Sequence, residues 1–152
     1  MRAVIQRVKE ASVTVDGSVV SKIGRGILVL IGISAKDSKT DAAYIVRKLL
    51  NLRIFPNEDG SRRWDKSVRD LNLELLCVSQ GNKLDFHRAM EPSLSQLAYS
   101  ELIAQLREAY QTDRVKDGVF GALMDVQLVN DGPVTICLDS NTVKSDKDAS
   151  DL

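Results

Sequence analysis

Few residues on this chain could do polar chemistry, and packing explains most of them equally well. There is one histidine, His87, and there are two cysteines, Cys77 and Cys137. A zinc site needs ligands at short, paired spacings, which one His and two distant Cys do not offer. Cys77 with His87 could form a nucleophile–base pair. Against that, Cys77 lies in the apolar run Leu73–Ser79, where a cysteine packs as a small hydrophobe. Cys137 lies in the apolar run Val134–Leu138, so both are expected as buried free thiols of a reducing compartment. Ser79 and Gln80 end their run on opposite faces, as period-two alternation requires. Gly132-Pro133 as a bare dipeptide is a turn between two strands. No Ser-His-Asp or metal constellation emerges, so neither a metal nor another cofactor is expected.

The elements that would position these residues follow from patterning. Arg2–Val8 and Ser12–Val15 read as strands, and Asp16-Gly17 is a hairpin signal leading into Ser18–Ile23. Gly24-Arg25-Gly26 turns the chain into Ile27–Ile33, an unbroken apolar strand that must be covered on both faces. Ser38-x-x-Asp41 resembles a capping box, and Ala42, Ile45, Val46, Leu49 and Leu50 then recur at helical spacing. Leu52–Phe55 reads as a short strand stopped by Pro56, with a polar loop at Asn57–Arg63 and Trp64 beyond it as a packing anchor. Leu73–Ser79 is a buried strand. A second helix spans Ser93–Tyr110, with the stripe Tyr99, Leu102, Ile103, Leu106, Ala109 and Tyr110. Asp117-Gly118 is a turn. Ala122–Val129 and Val134–Leu138 are strands, interrupted by Asn130-Asp131-Gly132-Pro133. The order predicts a single mixed α/β domain over residues 1–140, mostly antiparallel β layers with two helices packed on one side. Residues 141–152 form a polar C-terminal tail.

The chain has 152 residues and no net charge, but the charge is unevenly placed. Residues 1–70 carry 14 Lys+Arg against 8 Asp+Glu, and residues 71–152 carry 7 against 13. That asymmetry permits a basic face for a polyanion, with a solvated mixed surface as the plain alternative. No apolar run approaches a membrane span, and a strand pattern starting at the N-terminus leaves no room for a signal peptide, so a cytoplasmic protein is expected.

Several local sequences carry a resemblance. Met1–Thr14 (M-R-A-V-I-Q-R-V-K-E-A-S-V-T), Ile23-Gly24-Arg25-Gly26, Asn51-Leu52-Arg53-Ile54-Phe55, Phe120-Gly121-Ala122 followed by Met124, and Asn130-Asp131-Gly132-Pro133-Val134-Thr135 are similar to the D-aminoacyl-tRNA deacylase family. Gly81-Asn82-Lys83-Leu84-Asp85-Phe86-His87 resembles its eukaryotic branch. The resemblance covers residues 1–140. One motif departs from the pattern. The family reads S-Q-F-T-L and then a loop leading to G-N-K, whereas here Ser79-Gln80 runs straight into Gly81-Asn82-Lys83.

The resemblance implies a hydrolase that removes D-amino acids, or mischarged glycine, from the 3′ end of tRNA as a homodimer. The ester passes through a tetrahedral oxyanion, which preorganised N–H donors stabilise by on the order of 3–4 kcal/mol each. In the family those donors are backbone amides at the end of the S-Q-F-T-L strand, and the substrate's 2′-hydroxyl assists water; Ser79, Gln80 and Gly81 are the catalytic positions this implies here, the amides after Gln80 belonging to Gly81 and Asn82. The Gly132-Pro133 bond is implied to be cis, to reach across the dimer, to capture the α-amino group and to leave no room for an L side chain. Arg7 is implied to hold this turn, with Asn130 and Thr135 flanking it. Phe120 and Met124 are implied to receive the 3′-terminal adenosine of the aminoacyl-tRNA, although core packing would also account for them. His87 is expected to be structural. The broken motif keeps a second class open, a catalytically weakened paralogue or isoform acting as a nucleic-acid-binding module.

Overall fold

A computed structural model describes residues 1–80 and 90–142. Its strands are β1 (Arg2–Val15), β2 (Ser18–Ile23), β3 (Gly26–Gly32), β4 (Glu74–Ser79), β5 (Val115–Asp117) and β6 (Asp125–Asp139). Its helices are α1 (Lys39–Asn51) and α2 (Pro92–Ala109), with a short 3-10 turn at Thr112–Arg114. The six strands form one mixed sheet in the order β2-β1-β3-β4-β5, with β6 paired to β1. β1 runs antiparallel to β2, β3 and β6, whereas β4 is parallel to both β3 and β5.

The apolar run of β3 is explained by two cores. Ile27, Val29 and Ile31 face the larger one, which includes the inner stripes of α1 and α2. Leu28 and the half-buried Leu30 face a second one, built from Val8, Ala11, Val13, Ile23, Leu76 and Val78 as the sheet curls over itself. Both helices therefore lie on one side. In α1 all five stripe residues are buried. The Asp41 carboxylate accepts the Ser38 N–H at 2.8 Å and fixes the helix start. Asp16 and Gly17 take positive φ values of 49° and 78°, as a tight hairpin with the sheet's twist requires.

Several expectations are corrected. β1 is one strand, because the break at Lys9-Glu10 is a register shift against β6, not an end. β6 is likewise continuous, and the Asn130–Pro133 interruption is a bulge within it. Leu52–Phe55 is not a strand; its only pairing is an isolated bridge from Phe55 to Lys66. The Ala122–Val129 strand starts later, at Asp125, and β5 was not anticipated. Ala109 is exposed, since the helix ends there. Trp64 is 56% exposed and anchors no core. Cys137 is also exposed, because its side chain alternates onto the outer face of β6, while Cys77 is buried. His87, Gly81 and residues 143–152 of the tail lie outside the described residues.

Candidate functional site

The register of β1 against β6 exposes the most unusual local feature. Val8 pairs with Asn130 and Gln6 with Thr135, so residues 131–134 all lie opposite the single residue Arg7. A bulge that size needs its own support. Arg7 supplies it: Nε donates to the Asp131 carbonyl at 2.9 Å, and Nη1 donates to the Ile54 carbonyl at 2.5 Å. Nε also lies 3.4 Å from the Asp131 carboxylate, and the guanidinium stacks 5.9 Å from the Phe55 ring centre, with Arg25 over the same ring at 5.4 Å. Only 13% of the Arg7 side chain is exposed. The excursion it holds contains a cis Gly132-Pro133 bond, and Gly132 and Pro133 are both exposed. Gly132 has φ +134°, and a Cβ there would lie 3.1 Å from the Val134 nitrogen and 3.3 Å from Arg7 Nη2. Asn130 and Thr135, at the two feet of the bulge, are exposed as well.

Ser79 ends β4 opposite Ile31 of β3 and is half-buried. The Gln80 N–H donates to the Ile31 carbonyl at 2.9 Å, so it extends the sheet and is not a free donor. Phe120 and Met124 lie in the connection from β5 to β6, which leaves the same end of the sheet, β5 being parallel to β4. Phe120 is half-buried, with its ring 5.7 Å from Tyr99 at 43°. Met124 packs on the other core and crowds Gly118, where a Cβ would sit 2.7 Å from its sulfur. The two thus flank one loop but rest on different cores.

Within one chain the two motifs do not meet. Ile31, the partner of Ser79, faces Ala3, whereas the bulge faces Arg7, four residues further along β1. That is about 13 Å along the strand, and β3 and β1 intervene, adding about 14 Å across the sheet.

Sequence reasoning missed Tyr99. Its hydroxyl donates to the Cys77 carbonyl at 3.0 Å, and the same carbonyl accepts the Gly118 N–H at 3.1 Å. One β4 oxygen, two residues before Ser79, thereby ties down α2 and the loop that carries Phe120. The helical stripe marked Tyr99 as core, and no spacing signal reveals a hydroxyl bond across 22 residues. Ile54 and Phe55 were missed as supports of Arg7 for the same reason.

Burial pushes the Cys77 thiol up to about 12, with Asp117 adding to the rise and Arg107 opposing it. Buried and held in its protonated form at neutral pH, Cys77 is not poised as a nucleophile. Burial, then Cys77 and Asp117, also raises the Tyr99 hydroxyl. Both groups ionise more easily unfolded than folded. Their contribution is therefore intact below about pH 9 for Cys77 and about pH 10 for Tyr99, and is lost as pH rises from there toward the folded values, at about 1.4 kcal/mol per pH unit per group. Urea unfolding at pH 8 and pH 10.5 should differ by about 3 kcal/mol, about 2 of it from Cys77, so Cys77→Val should shrink the difference to about 1 kcal/mol. Equal stabilities at the two pH values would contradict the burial argument. Among the described residues no cluster of His, Cys, Asp and Glu could hold a metal ion, and no helix is long and apolar enough to cross a membrane.

The family model for D-Tyr-tRNA(Tyr) deacylase matches residues 4–139. A D-aminoacyl-tRNA deacylase of Dictyostelium discoideum is 52% identical over 148 residues, covering 92% of this chain and 98% of its own. D-aminoacyl-tRNA deacylase 1 of Danio rerio is 51% identical over 154, covering 96% and 74%. The Dictyostelium alignment is longer than the share of the 152-residue chain it takes up, so that relative carries residues missing here. Among solved structures, a c-Myc DNA unwinding element binding protein superposes with a TM-score of 0.87 at 50% identity, covering 91% of this chain and 98% of that one. A structure described as a probable eukaryotic D-amino acid tRNA deacylase, at 21% identity and TM-score 0.75, shares the fold.

Proposed function

Because this chain belongs to the D-Tyr-tRNA(Tyr) deacylase family, we propose that it hydrolyses the ester joining a D-amino acid, or a glycine on the wrong tRNA, to the tRNA 3′ end. The observation that carries the reading is the exposed Gly132-Pro133 bulge held from inside by Arg7. A turn fixed at that expense of polar contacts, yet presented to solvent, suits a rigid element that reads something outside its own subunit. The separation of Ser79 from Gly132 along and across the sheet supports a homodimer in which a second copy brings its Gly132-Pro133 turn to Ser79.

In this site the carbonyl oxygen of the ester lies at the end of β4, where the Gln80 amide is engaged with Ile31 and is not a donor to it; the family's donors are backbone amides at this strand end. Water attacks with help from the substrate's own 2′-hydroxyl, the tetrahedral oxyanion forms against the amides, and the ribose oxygen leaves. Backbone oxygens of the Gly132-Pro133 turn accept the substrate ammonium. A side chain of L configuration would then point into that turn. The terminal adenosine stacks on Phe120, beside Met124, a contact worth about 1–3 kcal/mol per base. The proposed workplace is the cytoplasm, which suits two free thiols.

The test is single-turnover hydrolysis of D-tyrosyl- and L-tyrosyl-tRNA by this chain and by a version with F-T-L and its loop restored after Gln80. The expected result is D-selective hydrolysis, faster by about 10²-fold in the restored chain, since a misplacement of 1 Å at donors costs that much. Affinity for the tRNA 3′ end should change less, because Phe120 and Met124 are separate from the donors. Absence of D-selective hydrolysis by both versions would sink the reading, and equal turnover would show that the missing strand end is dispensable. The direct passage from Gln80 to Gly81 also favours a second reading, nucleic-acid binding without turnover, in which only the restored chain is active.

A further inference from the structure

Helix α1 turns a face of one sign to solvent. Its only acidic residue, Asp41, is 1% exposed and occupied at the helix start. The exposed positions include Lys39, Arg47 and Lys48, and the Arg47 and Lys48 cations lie 5.9 and 5.7 Å from the centre of the half-buried Tyr44 ring. Beyond the helix end come exposed Arg53, Arg62 and Arg63 and the exposed indole of Trp64. Carboxylates flank the face at both ends: near Lys39, Asp37 is paired with the N-terminal ammonium and the exposed Glu101 of α2 lines the same groove; at the far end Glu58 and Asp59 are exposed, Asp65 pairs with Arg62 and Lys66, and Asp70 is held by Ser67 with Arg53 nearby. Among the described residues Lys39, Arg47, Lys48 and Arg63 make no ion pair.

We propose that this face of α1, continued through Arg53 to the Arg63-Trp64 loop, binds the sugar-phosphate backbone of the acceptor arm of tRNA. The proposal rests on the reading that the ester on that arm is the substrate, and it assigns the surface that holds the rest of the molecule. Charge complementarity names the occupant. Six exposed cations, one of them (Arg62) paired with Asp65 and two flanking a tyrosine ring, face solvent beside an exposed tryptophan, which suits a backbone with ribose and base surfaces between its phosphates. Position gives the direction. α1 starts beside Ile33 and Asp37, just past the end of β3 that pairs with Ser79. It ends at Leu52, two residues before the Ile54 carbonyl that Arg7 joins to the Gly132 bulge. The helix therefore runs about 20 Å away from the Ser79 strand end; in the homodimer proposed above its start lies beside the ester held at that strand end, and its far end points toward the bulge that serves the other copy's site. Duplex RNA is gripped through shape and phosphates, which demands no sequence-specific contact here.

The test measures binding of labelled, uncharged tRNA between 50 and 200 mM salt by the full chain and by the triple variant Arg47→Glu, Lys48→Glu, Arg53→Glu. The slope of log K against log salt should become shallower by about 2–3, and affinity at 100 mM salt should fall by about tenfold or more. Arg47→Lys with Arg53→Lys should keep both, since the phosphate contact needs charge. Hydrolysis of a D-tyrosyl ester of adenosine, which has no acceptor arm, should be unchanged in the triple variant. An unchanged slope and affinity would overturn the proposal. So would a wild-type chain that binds vesicles of anionic lipid but not tRNA. A wild-type chain that binds tRNA through this face yet hydrolyses no ester would instead refute the enzymatic reading and leave the surface standing.

Discussion

Replacing Arg7 with methionine is expected to lower turnover of D-tyrosyl-tRNA by about 10²–10³-fold while leaving a folded protein. The side chain lies between two carbonyls from distant parts of the chain, Ile54 and Asp131, and bonds both. Methionine fills the same space but satisfies neither, and the loss should reduce stability by about 2–4 kcal/mol, less than a domain of this size carries. What changes is the bulge. Residues 131–134 have no ladder partner on β1, and the Arg7 side chain bonds the Asp131 carbonyl within them, so without it the Gly132-Pro133 turn loses that anchor. Arg7→Lys should not rescue activity, because an ammonium is a point charge and cannot span two carbonyls with the fork of a guanidinium. A positioning role predicts one further effect: the ratio of D- to L-ester hydrolysis should drop as the turn loosens. A purely structural role would lower active protein without touching that ratio. Arg7→Met with turnover within threefold of the parent, or with an unaltered D/L ratio, would remove Arg7 from the mechanism.

The sequence made the scaffold readable where pattern and chemistry are local. The hairpin at Asp16-Gly17, the Ser38–Asp41 cap and the α1 stripe are short-range features, and β3 showed its two covered faces as an unbroken apolar run. Local reasoning failed where a strand survives a break in its pattern. Lys9-Glu10 and Gly132-Pro133 look like ends, yet each is a register shift, because β1 and β6 hold one another on both sides of the bulge. It failed also where exposure depends on which face a strand turns outward, as for Cys137. β5 is three residues long and carries Lys116, too little for a period-two signal. The candidate site was legible only through motif resemblance. Arg7, Gly132 and Pro133 entered that way, but the bonds from Arg7 to Ile54 and from Tyr99 to Cys77 join residues 47 and 22 positions apart, which no spacing rule anticipates. The Gln80 amide is the converse case: a residue inside the motif whose donor the sheet already uses.

The largest effect on stability should come from Gly26→Ala. Gly26 opens β3 and pairs with Glu74, the first residue of β4, in the parallel ladder that carries Ser79 at its other end. A Cβ at Gly26 would lie 1.9 Å from the Glu74 carbonyl oxygen and 2.8 Å from its carbon. Both are backbone atoms, so no side-chain rotation relieves the collision, and β4 must move by an ångström or more. β4 is buried on both faces, with Leu75 and Cys77 in one core and Leu76 and Val78 in the other, so the shift disturbs both cores at once. Overpacking of a close-packed core costs about 1–3 kcal/mol where side chains can yield, and more where backbone must. We expect a loss of about 4 kcal/mol, enough to lower the urea midpoint by roughly 1–2 M or to leave the chain unfolded at the outset. Gly24 is the internal control. It is two residues away, and its added methyl would meet only the Glu74 carboxylate oxygen at 3.5 Å, an ordinary contact. Gly24→Ala should therefore unfold within about 1 kcal/mol of the parent. A Gly26→Ala chain as stable as Gly24→Ala would mean that β3 and β4 do not approach as described, and the placement of Ser79 against Ile31 would fall with them.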